Sequence, residues 1–166
     1  MNKYLIVTIS QLVLLLITYA LIPVYIKNSG KFLLGNLSRK AIPVYVIGTL
    51  LTLASLGYLV YYCSKYEISD DSDQRNKLFL TLYLFLSALW SILLIFYGLY
   101  KKSGLYYSMK VLLFLIAACA IGLLVNISYD YMDDDVESKW ALVGASIITL
   151  QSLVGDAIVW SWYFPK

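Results

Sequence analysis

Two ionisable residues lie well inside apolar stretches of this chain, and they are its clearest candidates for chemistry. Asp156 stands in the middle of "LQSLVGDAIVW", and Lys110 lies in "LYYSMKVLLFL". A charged side chain at the centre of a membrane costs about 2.5–3.5 kcal/mol on insertion scales, and such residues usually pair or line a water-filled cavity. What these two residues do therefore depends on the elements that position them.

The composition is that of an integral membrane protein. Apolar residues make up 61% of the 166 residues and charged residues 14%, whereas soluble domains are about 45–50% apolar and about 25% charged. The mean hydropathy is +0.75. The net charge of +3 is small and scattered, so nucleic-acid binding is not expected.

The sequence contains no recognisable catalytic or metal-binding set. It has no histidine, which excludes Ser-His and Cys-His nucleophilic arrangements. Cys63 and Cys119 are far apart and form no CxxC motif. The acidic run "DYMDDD" lacks the spacing and the glycine of an EF-hand loop. We therefore predict a protein that is not an enzyme and has no metal or cofactor.

Five stretches are long and apolar enough to cross a bilayer, which takes roughly 20 residues. They cover about residues 4–26, 41–63, 78–100, 105–127 and 140–164, and the connections between them are short. The predicted fold is an all-α integral membrane protein. We expect residues 1–166 to form one membrane domain, a compact bundle of five transmembrane helices with short loops.

The distribution of Lys and Arg predicts the orientation of the bundle. The second and fourth connections, "SKYEISDDSDQRNK" and "SYDYMDDDVESK", are rich in acids. Basic residues are concentrated in the first and third connections: Lys27, Lys31, Arg39, Lys40, Lys101 and Lys102. Because basic loops stay in the cytoplasm, we predict an N-terminus outside and a cytoplasmic C-terminus.

Small and weakly polar residues recur at helical spacing in four of the spans. Such residues let helix backbones approach each other in lipid, so we predict that they form the packing faces. Asp156 continues the face of the fifth span and should point into the bundle. The predicted faces contain Gly48, Thr52 and Ser55; Ser87 and Ser91; Ala118 and Gly122; and Ala141, Ala145, Thr149 and Ser152.

Asp156 and Lys110 are at depths that allow them to meet. Asp156 lies about 15 Å from Lys166 along the helix, and Lys110 about 7.5 Å into its span from the same side. A lysine stem can extend further along apolar surface. One interpretation is an intramembrane ion pair that docks the fifth helix on the fourth; another is a proton- or substrate-linked carboxylate in a cavity. A third leaves Lys110 at the surface and Asp156 neutral.

The architecture resembles the translocator protein (tryptophan-rich sensory protein) family. Five spans with a tight third connection are shared, and "WSILLIFYG", from Trp90 to Gly98, is similar to that family's third helix. Leu93 and Leu94 stand where the family has paired prolines. The resemblance implies a five-helix fold, and no ligand-binding residue is transferred from it.

Two functions are consistent with these features. Short connections and helices rich in packing residues favour an accessory, assembly or scaffold subunit, in contact with lipid and with other membrane subunits or with itself. The alternative is a small-molecule or ion translocator, or a ligand-binding membrane protein, with its site around Asp156.

Overall fold

The five predicted spans are helices that pack as one bundle. The computed structural model describes residues 3–26, 33–34, 37–65, 71–130 and 136–163. Within these ranges every regular element is helical, and five helices are long and apolar enough to cross a membrane. The predicted all-α membrane bundle is confirmed. The helices are α1 (Lys3–Tyr25), α2 (Ala41–Lys65), α3 (Asp71–Tyr100), α4 (Ser103–Asp130) and a fifth span made of α5 (Val136–Leu150), a π-helical segment (Gln151–Trp160) and a last turn, α6 (Ser161–Tyr163).

The largest difference from the predicted boundaries is in α3, which begins at Asp71 and not near residue 78. Hydropathy identifies only the apolar part of a helix, whereas this helix also includes the polar stretch from Asp71 to Lys77. Its 30 residues correspond to about 45 Å, well beyond about 30 Å of hydrocarbon. Asp73 lies in the first turn, where acidic residues interact favourably with the helix dipole.

The directions of the helices give the bundle two chemically different ends. We call the end where α2 and α4 begin the basic end; exposed Arg39, Lys40, Lys101 and Lys102 lie there. The opposite end is the acidic end. Many loop charges used to predict orientation lie outside the described residues: Lys27, Lys31, Glu67, Asp70 and Asp133 to Asp135. The side of the membrane on which each end lies stays a prediction.

The order of the helices in space differs from their order in the sequence. α1 packs mainly on α3, α3 on α4, α4 on the fifth span, and the fifth span on α2. α1 and α2 follow each other in the chain but have few contacts. The bundle therefore closes loosely between α1 and α2.

The contacts among α3, α4 and α5 are close. A Cβ atom added to Gly122 would lie 2.6 Å from the ring of Phe79 on α3, so only glycine fits there without movement of that ring. Thr149 Oγ1 on α5 donates a hydrogen bond to the Ala120 carbonyl of α4 at 3.0 Å. A side chain as short as that of threonine can reach a backbone carbonyl of another helix only where the two backbones approach closely.

At the acidic end, α2 is joined to α5. Lys65 Nζ lies 2.7 Å from a Glu137 carboxylate oxygen, and the Tyr58 hydroxyl donates to the Glu137 carbonyl at 3.1 Å. Lys65 lies at the end of α2 and Glu137 at the start of α5, so these contacts fix the two helices antiparallel. The ion pair is partly exposed, and exposed pairs contribute about 0–1 kcal/mol.

Candidate functional site

A cavity of about 310 Å³ lies where α1 and α2 separate. Its volume is at the lower end of the range for small-molecule sites. Leu16 of α1 and Val46, Leu50 and Leu53 of α2 line it, and each of these side chains is more than a third exposed. The cavity therefore opens sideways, between α1 and α2, toward the hydrocarbon of the membrane.

Asp156 lies in the wall of this cavity and is held by two side chains. The Tyr45 hydroxyl of α2 donates to Asp156 Oδ1 at 2.6 Å, and Gln151 Nε2 donates to the same oxygen at 3.3 Å. The shorter distance is typical of a hydroxyl that donates to a carboxylate. No hydrogen bond from the described residues reaches Oδ2, which leaves that oxygen for a further partner.

The π-helical segment brings Gln151 and Asp156 together. These residues are five positions apart, which is the hydrogen-bonding step of a π-helix. In an α-helix, residues that meet are three or four apart. The Ser161 N–H contacts the Asp156 carbonyl, another step of five. π-Helical turns are rare in proteins overall, and those that occur are often found at functional sites.

Two glycines make room for the Gln151 amide. A Cβ atom on Gly155 would lie 2.7 Å from Gln151 Nε2, and one on Gly48 of α2 would overlap Gln151 Oε1. The amide therefore occupies space that any other residue at either position would fill. Gly48 belongs to the predicted packing face, and the group that packs against it is part of the Asp156 site.

Two residues of the cavity wall each carry a buried polar atom that has no hydrogen-bond partner among the described residues. The atoms are Thr52 Oγ1 on α2 and Trp90 Nε1 on α3. Thr52 is 7% exposed and Trp90 6% exposed. An unpaired buried polar group costs about 1–3 kcal/mol, and the great majority of such groups are satisfied. Neither atom has surface open to the cavity, so both are polar groups buried in the wall behind its lining.

Two described residues between α1 and α2 cover the basic end of the cavity. Leu33 and Leu34 line the cavity there. Trp160 Nε1 donates to the Leu33 carbonyl at 2.9 Å, and the Trp160 ring meets the Trp90 ring edge-on with centroids 5.1 Å apart. Trp160 ends the π-helical segment, so the same segment forms one wall and anchors the cover.

The structure does not bring Lys110 and Asp156 together. Lys110 Nζ lies 4.8 Å from the centroid of the Tyr106 ring, a distance suited to a cation–π contact. No ion pair between Lys110 and Asp156 occurs within the described part of the chain. The physical reason is that depth along the membrane does not fix rotation about a helix axis. The side chain that reaches Asp156 comes from Tyr45 of α2.

The predicted small-residue faces are mostly turned inward. Gly48, Ser87 and Gly122 are partly buried, whereas Ala118 is exposed. The buried alanines of α4 are Ala117 and Ala120, so its inner face is rotated relative to the predicted one. A register difference of one residue is about 100° on a helix. The buried members of the predicted faces are Thr52, Ser55, Ser91, Ala141, Ala145, Thr149 and Ser152.

Hydroxyl groups of these faces join neighbouring helices. Ser91 Oγ donates to Thr18 Oγ1 of α1 at 2.6 Å. The Ser152 and Tyr83 hydroxyls are 3.0 Å apart and link the fifth span to α3. Such hydrogen bonds between membrane helices are worth about 1–2 kcal/mol at most. Their main contribution is therefore to fix the positions of the helices that form the cavity wall, and their contribution to the stability of the bundle is small.

Sequence reasoning missed Tyr45, Gln151 and Trp90 as members of the site. Tyr45 lies near a span end and looks like an interfacial ring. The available signal was Gln151, a polar residue in an apolar span five positions before Asp156. That spacing is informative only if a π-helical turn is considered.

Within the described residues, no group of three His, Cys, Asp or Glu side chains could hold a metal ion. No protein-family model, no curated protein and no solved structure matches the chain.

Proposed function

We propose that this multi-pass membrane protein binds a small, mostly apolar molecule inside the bilayer, in the cavity beside Asp156. The observation that carries the proposal is the position of Asp156 in the wall of a largely apolar cavity, with one carboxylate oxygen that receives no hydrogen bond from the described residues. A helix-docking carboxylate would need no such cavity beside it. Largely apolar pockets with a few convergent polar groups are the usual form of a ligand site.

This proposal takes the second of the two functions considered from sequence. Binding is the step that a receptor and a translocator share, and Asp156 would serve either. We propose no catalytic role for Asp156, since its contacts are a tyrosine hydroxyl and an amide that hold it in place. With the predicted orientation, the covered end of the cavity lies on the cytoplasmic side.

Fluorescence quenching of Trp90 tests the proposal. Two probes share a brominated decyl chain, one ending in a hydroxyl group and the other in a trimethylammonium group. Either probe should quench tryptophan fluorescence of the detergent-solubilised protein in a saturable manner. Trp90→Phe should remove much of the saturable component, because Trp90 lines the cavity.

Two phenylalanine substitutions on α2 provide the matched comparison. Thr49 lines the cavity, whereas Ile47 is 57% exposed and does not line it. Thr49→Phe should abolish saturable quenching by filling the space, and Ile47→Phe should retain it. Quenching that rises without saturation and equally in all proteins would refute the binding function. A stable complex with other subunits after purification, together with that result, would support the accessory-subunit interpretation.

A further inference from the structure

We infer that the molecule taken up by this cavity is a lipophilic amine, in which a protonated amino or quaternary ammonium group is attached to an apolar body. The inference rests on the proposed binding function and adds to it the charge and shape of the ligand. It is carried by the charges, the aromatic rings and the direction of the cavity.

The charge of the cavity wall favours a cation. Asp156 is the only charged residue among the described residues that line it. Its Oδ2 atom receives no hydrogen bond from them, and Lys110 lies on the Tyr106 ring. Carboxylates inside a membrane usually pair with an opposite charge or line a water-filled cavity, and this cavity is lined mostly by apolar side chains. Because the wall supplies no cation, the ligand is the natural source of one.

The aromatic lining favours an ammonium group in particular. Tyr19, Tyr45, Tyr83 and Trp90 line the same cavity as Asp156. The Tyr19 and Trp90 rings have centroids 6.3 Å apart. Aromatic faces attract ammonium groups, and the attraction increases as the site is desolvated. Several rings around one carboxylate are a suitable surface for such a group.

The shape of the cavity matches an amphiphile. The cavity follows α2 from Tyr45 to Leu56, a distance of about 16 Å. Asp156 is bonded to Tyr45 at one end, while Leu56 and Leu15 line the part nearer the acidic end. The exposed leucines at the opening between α1 and α2 let an apolar body enter from the lipid, with its ammonium group nearer the basic end.

The charges of the cavity wall also distinguish between two possible ligands, a free amine and a phospholipid headgroup. Phosphocholine and phosphoethanolamine headgroups also carry an ammonium group, but they add an anionic phosphate. No Lys or Arg side chain is among the described residues that line the cavity. A phosphate beside Asp156 would therefore place two negative charges together without compensation. We assign the site to an amine that has no phosphate.

Three probes that differ only in their head group test the assignment. Saturable quenching is measured in a nonionic detergent with brominated decyl chains that end in trimethylammonium, hydroxyl or phosphocholine. The wild-type protein should bind the trimethylammonium probe about tenfold more tightly than the other two, as expected for one additional ionic attraction to Asp156 together with cation–π contacts to the aromatic rings. Asp156→Asn should bind all three about equally.

Glu137→Gln is the control for long-range electrostatic attraction between the cationic probe and the negative charges of the protein. It removes one negative charge at the acidic end, where Glu137 is paired with Lys65, and it should keep the tenfold preference. A preference that persists in Asp156→Asn, or disappears in Glu137→Gln, would overturn the role of Asp156. The wild-type comparison establishes the ligand class even if Asp156→Asn does not fold.

The remaining outcomes separate this inference from the proposed function. Equal saturable binding of the hydroxyl and trimethylammonium probes would overturn the amine and leave ligand binding in place. Phosphocholine binding as tight as trimethylammonium binding would identify a lipid headgroup and overturn the free amine. If neither the hydroxyl nor the trimethylammonium probe saturates, the binding function itself fails.

Discussion

The two halves of the fifth span use similar residues for different purposes. In α5, Ala141 and Ala145 are fully buried, and the space that their small side chains leave is filled by neighbouring helices. In the π-helical segment Gln151–Trp160, Asp156 faces a cavity. A stripe of small and polar residues therefore shows where something approaches a helix closely. It does not show whether that neighbour is another helix or a binding site.

Two glycines show the same contrast. The space beside Gly122 on α4 is filled by the Phe79 ring, and the space beside Gly48 on α2 is filled by the Gln151 amide. The first contact is apolar packing between two helices. The second positions a side chain that donates to Asp156. The same residue type contributes to stability in one place and to site geometry in the other.

Labelling of introduced cysteines tests which half of the fifth span is nearer the cytoplasm. Of the three tests, it should give the largest difference between variants. In a background without Cys63 and Cys119, Asp71→Cys should react with a membrane-impermeant thiol reagent on intact cells, and Ser103→Cys should not. The reason is that basic connections stay in the cytoplasm. The reverse pattern would place the covered end of the cavity outside, and labelling of both would contradict the five-span topology.

A larger side chain in α5 tests the half of the fifth span that packs closely against neighbouring helices. Ala145 is fully buried, so Ala145→Leu should force neighbouring helices apart and destabilise the protein by about 1–3 kcal/mol. Val143, on another face of α5, is 47% exposed, and Val143→Leu should change stability by less than about 0.5 kcal/mol. Thermal unfolding in detergent provides the comparison. Equal tolerance at both positions would mean that α5 packs loosely.

Substitutions of two glycines on α2 test the half of the fifth span that lines the cavity. The expected effect, on ligand binding, is smaller than those above. Gly48→Ala should displace the Gln151 amide and weaken binding of the trimethylammonium probe by about threefold to tenfold, which is about 0.7–1.4 kcal/mol. Folding should change little, because the displaced atom ends a flexible side chain. Gly57→Ala is the control, since no atom lies within 4 Å of the added Cβ. Equal binding by both variants would mean that Gln151 does not position Asp156.

The sequence predicted those parts of the fold that the membrane itself dictates. A bilayer fixes the length and polarity of a helix that crosses it, so the five spans were recognisable from hydropathy alone. Close approach in lipid requires small residues, which is why the face through Ala141, Ala145 and Thr149 could be proposed. Those three residues are buried in the bundle.

The remaining features depend on which helices are neighbours, and helical periodicity does not contain that information. Chain order would place α1 beside α2, but α1 packs on α3, and the cavity follows from this arrangement. Pairing Lys110 with Asp156 used only their depths, whereas the rotation of α4 and the position of α2 decide the contact. The π-helical segment changes the period of 3.6 residues on which a face is assigned.

The central claim is that Asp156 belongs to a cavity site built with α2 and is not an ion pair that docks the fifth span on α4. Two double-mutant cycles on thermal stability in detergent test it most directly, one combining Asp156→Asn with Tyr45→Phe and the other combining Asp156→Asn with Lys110→Met. Contacting residues show coupling energies of about 0.5–3 kcal/mol, and distant independent residues add within about 0.5 kcal/mol. Coupling should therefore be measurable between Asp156 and Tyr45, whose oxygens are 2.6 Å apart, and absent between Asp156 and Lys110. Strong coupling to Lys110 with none to Tyr45 would contradict the account and restore the ion pair.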